Sequence, residues 1–258
     1  MKLKILGSVS PYVKGKNNCP GYLVIKGNTK VLLDCGSGIT REMKLPDDLQ
    51  DLTIIISHLH RDHYTDLLTL GYATYVYHNL GFLNKKINVY IPNDSSIDKQ
   101  YLENIDEHFL NIVTYDDNTK LKISDIGITF KANPHPIQTY SIKVEDTDHT
   151  LVYSSDTGYE NNTLEEFAQN ADLLICETTF LKTQKGRVDN HLTTIEAGKI
   201  AKKASVKKMI ITHTWPEINK NEYLKETKKM FKKVISAKEG MTIKIGRWYY
   251  EKNSILCW

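Results

Sequence analysis

Short apolar runs rich in β-branched residues, each bounded by turn-forming residues, divide the first part of the chain into predicted β-strands. The clearest is the run at 52–57, where three consecutive isoleucines stand without a charged neighbour. Such a run predicts a buried strand. The predicted strands of this region are Lys2–Leu6, Gly21–Lys26, Lys30–Asp34 and Leu52–Ser57.

A second group of predicted strands occupies the middle of the chain, and apolar residues at helical spacing lie between and after the two groups. These strands are Asn88–Ile91, Leu121–Ile123, Ile128–Ala132, Ser141–Val144 and Thr150–Ser154. The predicted helices are Asp66–Tyr77, Ile97–Phe109, Leu164–Asn170, Thr193–Ala204 and Asn221–Val234. Two groups of strands with their helices predict an α/β fold in which two sheets pack face to face with helices outside. We expect one domain over residues 1–258, because no repeat or Pro/Gly-rich linker divides the chain.

Composition narrows the choice of partners and compartment. The 258 residues are 40% hydrophobic and have a net charge of +3, which is too weak to require a nucleic-acid partner. No apolar run approaches the ~20 residues of a membrane span, and no apolar signal region precedes the first strand, so we expect a cytoplasmic protein without a membrane partner. The cysteines lack CxxC spacing and are predicted to be reduced structural thiols; they are Cys19, Cys35, Cys176 and Cys257.

Three histidines and an aspartate directly follow the 52–57 strand. They are His58, His60, Asp62 and His63. The carboxyl end of a strand in an α/β sheet is where ligand and metal sites are commonly built. Imidazole and carboxylate groups suit zinc, iron or manganese at neutral pH, so this segment predicts a metal site. The alternative is a polar loop that happens to be rich in histidine.

Further candidate ligands lie where other predicted strands end. His135 stands between Pro134 and Pro136, and Asp156 and His213 each follow an apolar strand. A structural histidine is the alternative for His135, and a helix cap is the alternative for Asp156. Three other histidines lack this setting and are expected to be surface or packing residues; they are His78, His108 and His149.

Together these residues resemble the metallo-β-lactamase superfamily over nearly the full length of the chain. The first motif of that family matches residues 32–36, the second matches 58–63, and the third to fifth match His135, Asp156 and His213. The resemblance implies a four-layer αβ/βα sandwich with a dinuclear centre in the cleft between its sheets. It implies two divalent metal ions, with zinc favoured over manganese and iron. One ion would be bound by His58, His60 and His135, the other by Asp62, His63 and His213, and Asp156 would bridge them.

The first motif includes Asp34, which we expect to orient the ligand loops from behind; a simple turn residue is the alternative. Two metal ions of this kind activate water for hydrolysis. The ligand set alone does not separate phosphodiesters from lactones, thioesters or β-lactams.

Two further residues resemble the tRNA 3′-processing endonucleases, the RNase Z branch of the superfamily. His191 precedes a predicted helix, and Glu177 begins the segment Glu-Thr-Thr-Phe. The resemblance implies that His191 stabilises the transition state or protonates the leaving group, with Glu177 orienting it. Alternatives are a helix N-cap or core role for His191 and a structural role for Glu177. Asp62, besides binding metal, is a candidate acceptor for the proton of the attacking water.

The chain departs from RNase Z in one interval. Only the 20 residues 136–155 separate His135 from Asp156, enough for a β-hairpin, whereas long RNase Z chains carry their tRNA-gripping arm there. We therefore predict a short RNase Z-like phosphodiesterase that acts on RNA ends or small nucleotide diesters. The alternatives are RNase Z proper, a lactonase or thioester hydrolase of the same superfamily, and a non-catalytic metal-binding module.

The predicted helix after the metal loop carries apolar and tyrosine residues at three- and four-residue spacing, including Tyr64, Tyr72 and Tyr75. Core packing is one interpretation of this pattern. A pocket wall for a base or a homodimer face is the other.

Overall fold

In the computed structural model, which describes residues 1–104, 109–160, 162–184, 189–246 and 250–251, the strands form two mixed sheets. The strands of the eight-stranded sheet are β1 Lys2–Gly7, β2 Gly21–Lys26, β3 Thr29–Leu33, β4 Leu52–Ile55, β5 Ile87–Pro92, β6 Leu110–Tyr115, β14 Thr242–Lys244 and β15 Tyr250–Glu251. Those of the seven-stranded sheet are β7 Lys120–Ile123, β8 Ile126–Ala132, β9 Tyr140–Glu145, β10 Thr150–Tyr153, β11 Leu173–Glu177, β12 Met209–Thr212 and β13 Val234–Ser236. The strand orders are β15-β14-β1-β2-β3-β4-β5-β6 and β13-β12-β11-β10-β9-β8-β7.

The helices cover the outer faces of the two sheets. They are α1 Ile39–Glu42, α2 Arg61–Tyr64, α3 Asp66–Asn79, α4 Ile97–Glu103, α5 Thr163–Phe167, α6 Thr194–Lys203 and α7 Lys220–Thr227, with 3₁₀ turns at Asp47–Leu49 and Lys182–Gln184. Within the described ranges no helix is long and apolar enough to cross a membrane.

Three apolar cores separate the layers, because successive side chains of a strand point to opposite faces. In β1, Leu3 and Ile5 enter the core between the sheets, whereas Leu6 enters the core beneath α1, α3 and α4. A third core lies between the second sheet and helices α5, α6 and α7. The predicted four-layer αβ/βα sandwich is therefore confirmed.

Strand direction determines where the site lies. Strands β3 to β6 run parallel to one another, as do β10 to β13, and β1 and β8 point the same way as the parallel strands of their own sheets. The carboxyl ends of β3, β4, β8, β10 and β12 are followed by the predicted site residues Asp34, His58, His135, Asp156 and His213. Glu177 is the last residue of β11.

The structure corrects two predicted helices. The helix predicted over 221–234 ends at Thr227, and Val234 instead begins β13, where it pairs with Met209. Phe231 and Val234 have helical spacing, but Phe231 packs against the outer core of the second sheet from the segment before β13, and Val234 enters that core from β13 itself. Helix α4 ends at Glu103, and residues 105–108 of its predicted continuation, including His108, lie outside the described residues.

The helix after the metal loop packs only in part as expected for a core helix. Tyr64 and Leu67 are buried, whereas Tyr72 is 59% exposed and Tyr75 is 44% exposed. Core packing is therefore wrong for these two tyrosines, and a pocket wall for a base or a homodimer face stays a prediction. Three cysteines, Cys19, Cys35 and Cys176, are free and buried, whereas Cys257 lies outside the described residues.

Candidate metal centre

The structure brings all the predicted ligands together at one edge of the two sheets. They form two groups in which the ligand atoms lie within 4.8 Å of one another; the first is His58, His60, His135 and Asp156, and the second is Asp62, His63 and His213. Asp156 faces both groups. Its Oδ2 lies 3.6 Å from His58 Nε2, and its Oδ1 lies 3.1 Å from His213 Nε2. The carboxylate thus has the position of a bridge.

Several of the histidines are held from behind, so that their second nitrogen points into the centre. His63 Nδ1 donates to Asp34 Oδ2 at 2.7 Å, and His135 Nδ1 donates to the Asn190 carbonyl at 3.1 Å. Ser57 Oγ gives its proton to Asp34, so it accepts from His58 Nδ1 at 3.1 Å. These contacts select one tautomer and one orientation for each ring.

The inward nitrogens face one another at hydrogen-bond distances, which either a shared proton or a bound cation would satisfy. His58 Nε2 lies 3.1 Å from His60 Nδ1, and His63 Nε2 lies 3.2 Å from His213 Nε2. In addition, Asp156 Oδ1 is buried without a hydrogen-bond partner. Imidazole nitrogens and carboxylate oxygens converging in this way fit divalent transition-metal ions.

The electrostatics of the centre lead to the same conclusion. Burial lowers the pKa of His63, but the carboxylates of Asp156, Asp62 and Asp34 outweigh it and raise that pKa well above its usual range. The cluster therefore attracts positive charge. A proton supplies that charge when no metal is bound, and a metal ion displaces the proton when it binds. In contrast, burial lowers the pKa of His135 to about 4, which keeps its imidazole neutral and able to ligate.

Asp34 is fully buried and orients several groups at once. Its carboxylate accepts hydrogen bonds from the Ser57 amide at 2.6 Å and from Tyr153 Oη at 2.7 Å, in addition to the one from His63. A turn residue would not gather donors from β10 and from the metal loop. Asp34 therefore positions the ligand loop from behind, as we expected.

The loop after Asp34 supports the metal loop through its backbone. The Cys35 amide donates to the His63 carbonyl at 2.8 Å. A Cβ on Gly36 would lie 1.9 Å from the Asp62 carbonyl oxygen, so only glycine fits at this point. Backbone strain accompanies the site, since Asp34 has φ 60°, and His213 has φ 55°.

His191 and Glu177 lie beside the Asp156 side of the centre. His191 Nδ1 is 2.9 Å from Glu177 Oε1 and 3.9 Å from Asp156 Oδ2. Burial lowers the pKa of His191, but the Glu177 carboxylate more than offsets this and raises the pKa to about 9. The N-cap of α6 is Thr193, and the N-cap of α5 is Asn162. His191 and Asp156, for which a helix cap was the alternative role, are therefore not helix caps.

Three positioning residues were not predicted from the sequence. Thr179 Oγ1 donates to Glu177 Oε2 at 2.7 Å, so it accepts from His213 Nδ1 at 2.8 Å. Ser10 Oγ donates to Asp62 Oδ2 at 2.7 Å, and Tyr153 donates to Asp34. Thr179 belongs to the Glu-Thr-Thr-Phe segment, so that motif could have identified it. Ser10 and Tyr153 carry no local signal, since their partners are distant in sequence.

Among the described residues, the two remaining histidines, His78 and His149, stay apart from the centre. His78 stacks on Phe109 with ring centroids 3.7 Å apart, and its Nδ1 bonds the Leu83 carbonyl. His149 lies 3.3 Å from Asp146 in the turn between β9 and β10, at the opposite end of the sandwich.

Comparison with known proteins gives the family context. Residues 29–214 match the family model described as the beta-lactamase superfamily domain. The probable metallo-hydrolase YhfI of Bacillus subtilis is 30% identical over 244 residues, covering 93% of this chain and 98% of YhfI. The crystal structure of YhfI superposes with a TM-score of 0.87 at 29% identity, covering 94% of this chain and 98% of its own.

Ribonucleases Z are more distant relatives. The enzyme of Archaeoglobus fulgidus is 23% identical over 308 residues, covering 95% of this chain and 97% of the archaeal protein. The crystal structure of the short form of human tRNase Z has a TM-score of 0.75 at 19% identity, covering 95% of this chain and 99% of its own, and at this identity it supports the fold alone.

Proposed function

The chain belongs to the metallo-β-lactamase superfamily, and we propose that this metal-dependent hydrolase is a phosphodiesterase with two divalent ions, zinc foremost, that acts on RNA ends or small nucleotide diesters. Two tetrahedral-type ions suit the donor set, because seven ligand residues exceed what one such ion uses. Bound there, the ions would supply a water-derived nucleophile at neutral pH and neutralise charge on phosphoryl oxygens.

The observation that carries the proposal is the His191–Glu177 pair beside Asp156. A phosphodiester differs from a lactone or thioester in bringing a negative charge into the site. The Glu177 carboxylate raises the pKa of His191 to about 9, which favours the protonated ring, and a protonated ring matches that charge. A neutral acyl substrate would gain less from it, which is why we place the phosphodiester first.

His191 has the geometry of a proton donor to the leaving oxygen. Its Nδ1 is engaged by Glu177, so Nε2 is the nitrogen available to substrate. Glu177 is itself held by the Thr157 amide at 3.1 Å and by the amide and hydroxyl of Thr179. The imidazolium therefore presents its remaining proton from a fixed position, which is what general acid catalysis requires.

Asp62 fits a ligand role better than a proton-acceptor role. Burial raises the pKa of Asp62, but His63 and His213 outweigh it and hold the pKa far below its usual range. A carboxylate of such low basicity is a poor acceptor for a proton. Acceptance of the water proton by Asp62 stays a prediction.

The test is a substrate comparison on protein reconstituted with zinc and, separately, with manganese. We expect hydrolysis of bis-p-nitrophenyl phosphate and of short RNA ends at rates well above those for a chromogenic lactone and a thioester. Faster acyl hydrolysis with no detectable diester cleavage would assign the protein to the lactonase or thioesterase group. Metal-loaded protein inactive on every class would support a non-catalytic metal-binding module.

A further inference from the structure

Two exposed aromatic side chains lie on the segments that bring Ser10 and His213 to the metal centre. Tyr12 is 44% exposed and Trp215 is 39% exposed. Single exposed rings are ordinary on a protein surface. These two differ because each stands two residues from a group in the site: Tyr12 from Ser10, which bonds Asp62, and Trp215 from His213.

The loops that carry the two rings are joined to each other beside the ligands. The Ser10 amide donates to the Thr214 carbonyl at 3.2 Å, and the Thr214 amide donates to the Ser8 carbonyl at 3.3 Å. Ser8 and Thr214 are themselves buried. The segment after β1 and the segment after β12 therefore form one wall of the cleft on the side of Asp62 and His213.

The Tyr12 side chain and the backbone of Trp215 are both held in place. Tyr12 Oη donates to Glu217 Oε1 at 2.9 Å, and Lys14 pairs with the same carboxylate. The Trp215 amide donates to Tyr223 Oη at 3.3 Å, and this hydroxyl in turn donates to the Thr179 carbonyl at 3.2 Å. A ring held before binding loses less conformational freedom when a ligand stacks on it.

We infer that Tyr12 and Trp215, here called the aromatic rim, bind the nucleobase of the diester whose phosphate lies at the metal centre. The inference rests on the proposed function and specifies its substrate class as a nucleotide diester. Every nucleobase has a π-face, so stacking on an aromatic ring binds bases with little sequence preference. Lys14 neutralises Glu217, so the wall next to Tyr12 carries no unbalanced negative charge that would repel the phosphate.

The test compares a diester with a base and a diester without one. Thymidine 5′-p-nitrophenyl phosphate and methyl p-nitrophenyl phosphate release the same chromophore, so the ratio of their kcat/KM values isolates the contribution of the nucleoside. We expect Tyr12→Ala and Trp215→Ala each to lower this ratio by about 5- to 100-fold, the usual loss when a stacking ring is removed. The zinc content should not change. Tyr101→Ala, which removes a ring that is 57% exposed on α4, is the matched control.

An unchanged ratio in both rim variants would overturn the inference even if the wild type hydrolyses both diesters. If the wild type hydrolyses neither diester, the proposed function fails instead, and binding of thymidine 5′-monophosphate to the zinc-loaded protein still tests the rim. Weaker binding in both rim variants, but not in Tyr101→Ala, would support it, and equal binding in all four proteins would overturn it.

Discussion

His191 Nδ1 donates a hydrogen bond to Glu177 Oε1 across 2.9 Å, and this contact joins two residues that lie beside the predicted metal ligands. Glu177 is fully buried at the end of β11, whereas His191 is half-buried and faces the cleft. The carboxylate therefore determines the orientation of the ring, its tautomer and the direction of its pKa shift. Two predictions test these roles separately.

We predict that His191→Ala keeps its metal and loses turnover by roughly 10²-fold or more on a diester with a poor leaving group, because a positioned acid is worth about that much. Steady-state kinetics and metal analysis of the same sample check it. His149→Ala, which removes a histidine at the far end of the sandwich, should behave as wild type. Loss of metal in His191→Ala would instead assign this residue a structural role.

We predict that Glu177→Gln moves the alkaline limb of the pH–rate profile to lower pH. The negative charge of Glu177 raises the pKa of His191, so its removal lets the ring lose its proton at a lower pH. Since the acid must be protonated to act, activity would be lost earlier as the pH rises. Profiles of kcat/KM for the two proteins give the comparison, and coincident alkaline limbs would contradict the proposed proton donor.

We predict up to about two divalent ions per chain, and lower occupancy of both sites in Asp156→Ala, because this carboxylate faces both ligand groups. His135→Ala is the contrasting variant, since His135 belongs to one group only, and it should lower occupancy by about one ion. Elemental analysis after reconstitution with zinc or manganese provides the measurement. Only trace metal in the reconstituted wild type would refute the dinuclear centre.

We predict that Tyr153→Phe lowers the free energy of unfolding by about 1.5–3 kcal/mol, because a buried carboxylate then loses one of its donors. Tyr153 and Asp34 are both buried, and the ring itself stays in the core between the sheets. Tyr101→Phe, a substitution at an exposed position, should change the free energy of unfolding by less than about 0.5 kcal/mol. Urea unfolding of the wild type, Tyr153→Phe and Tyr101→Phe measures these changes. Equal midpoints and slopes for all three would show that the Tyr153–Asp34 hydrogen bond does not stabilise the fold.

We predict efficient hydrolysis of small diesters but poor cleavage of precursor tRNA. Between His135 and Asp156 the chain forms only the β9–β10 hairpin, and its turn lies at the end of the sandwich away from the centre. With few phosphate contacts, tRNA binding would be weak and strongly salt-dependent. Side-by-side kinetics at near-physiological salt test this, and efficient, site-specific release of a 3′ trailer would restore RNase Z proper.

Local patterns in the sequence were enough to predict most strands of the two sheets and to locate the candidate ligands. Buried strands appear as short β-branched runs, and ligands follow directly where these strands end, so His58, His135, Asp156 and His213 were all found from their position in the chain. Local patterns were ambiguous at the edge of the second sheet. There the spacing of Phe231 and Val234 suits a helix, but Val234 pairs with Met209 as the first residue of β13, and Phe231 lies in the segment before that strand.

Only the tertiary structure decided which groups hold the ligands in place. Ser10 reaches Asp62, Tyr153 reaches Asp34, and Thr179 reaches His213 across separations of 52, 119 and 34 residues. Serine, threonine and tyrosine hydroxyls are common and bond many partners, so no spacing marks these pairs. They exist because parallel strands from both sheets end at one edge, where packing brings distant residues within hydrogen-bond distance.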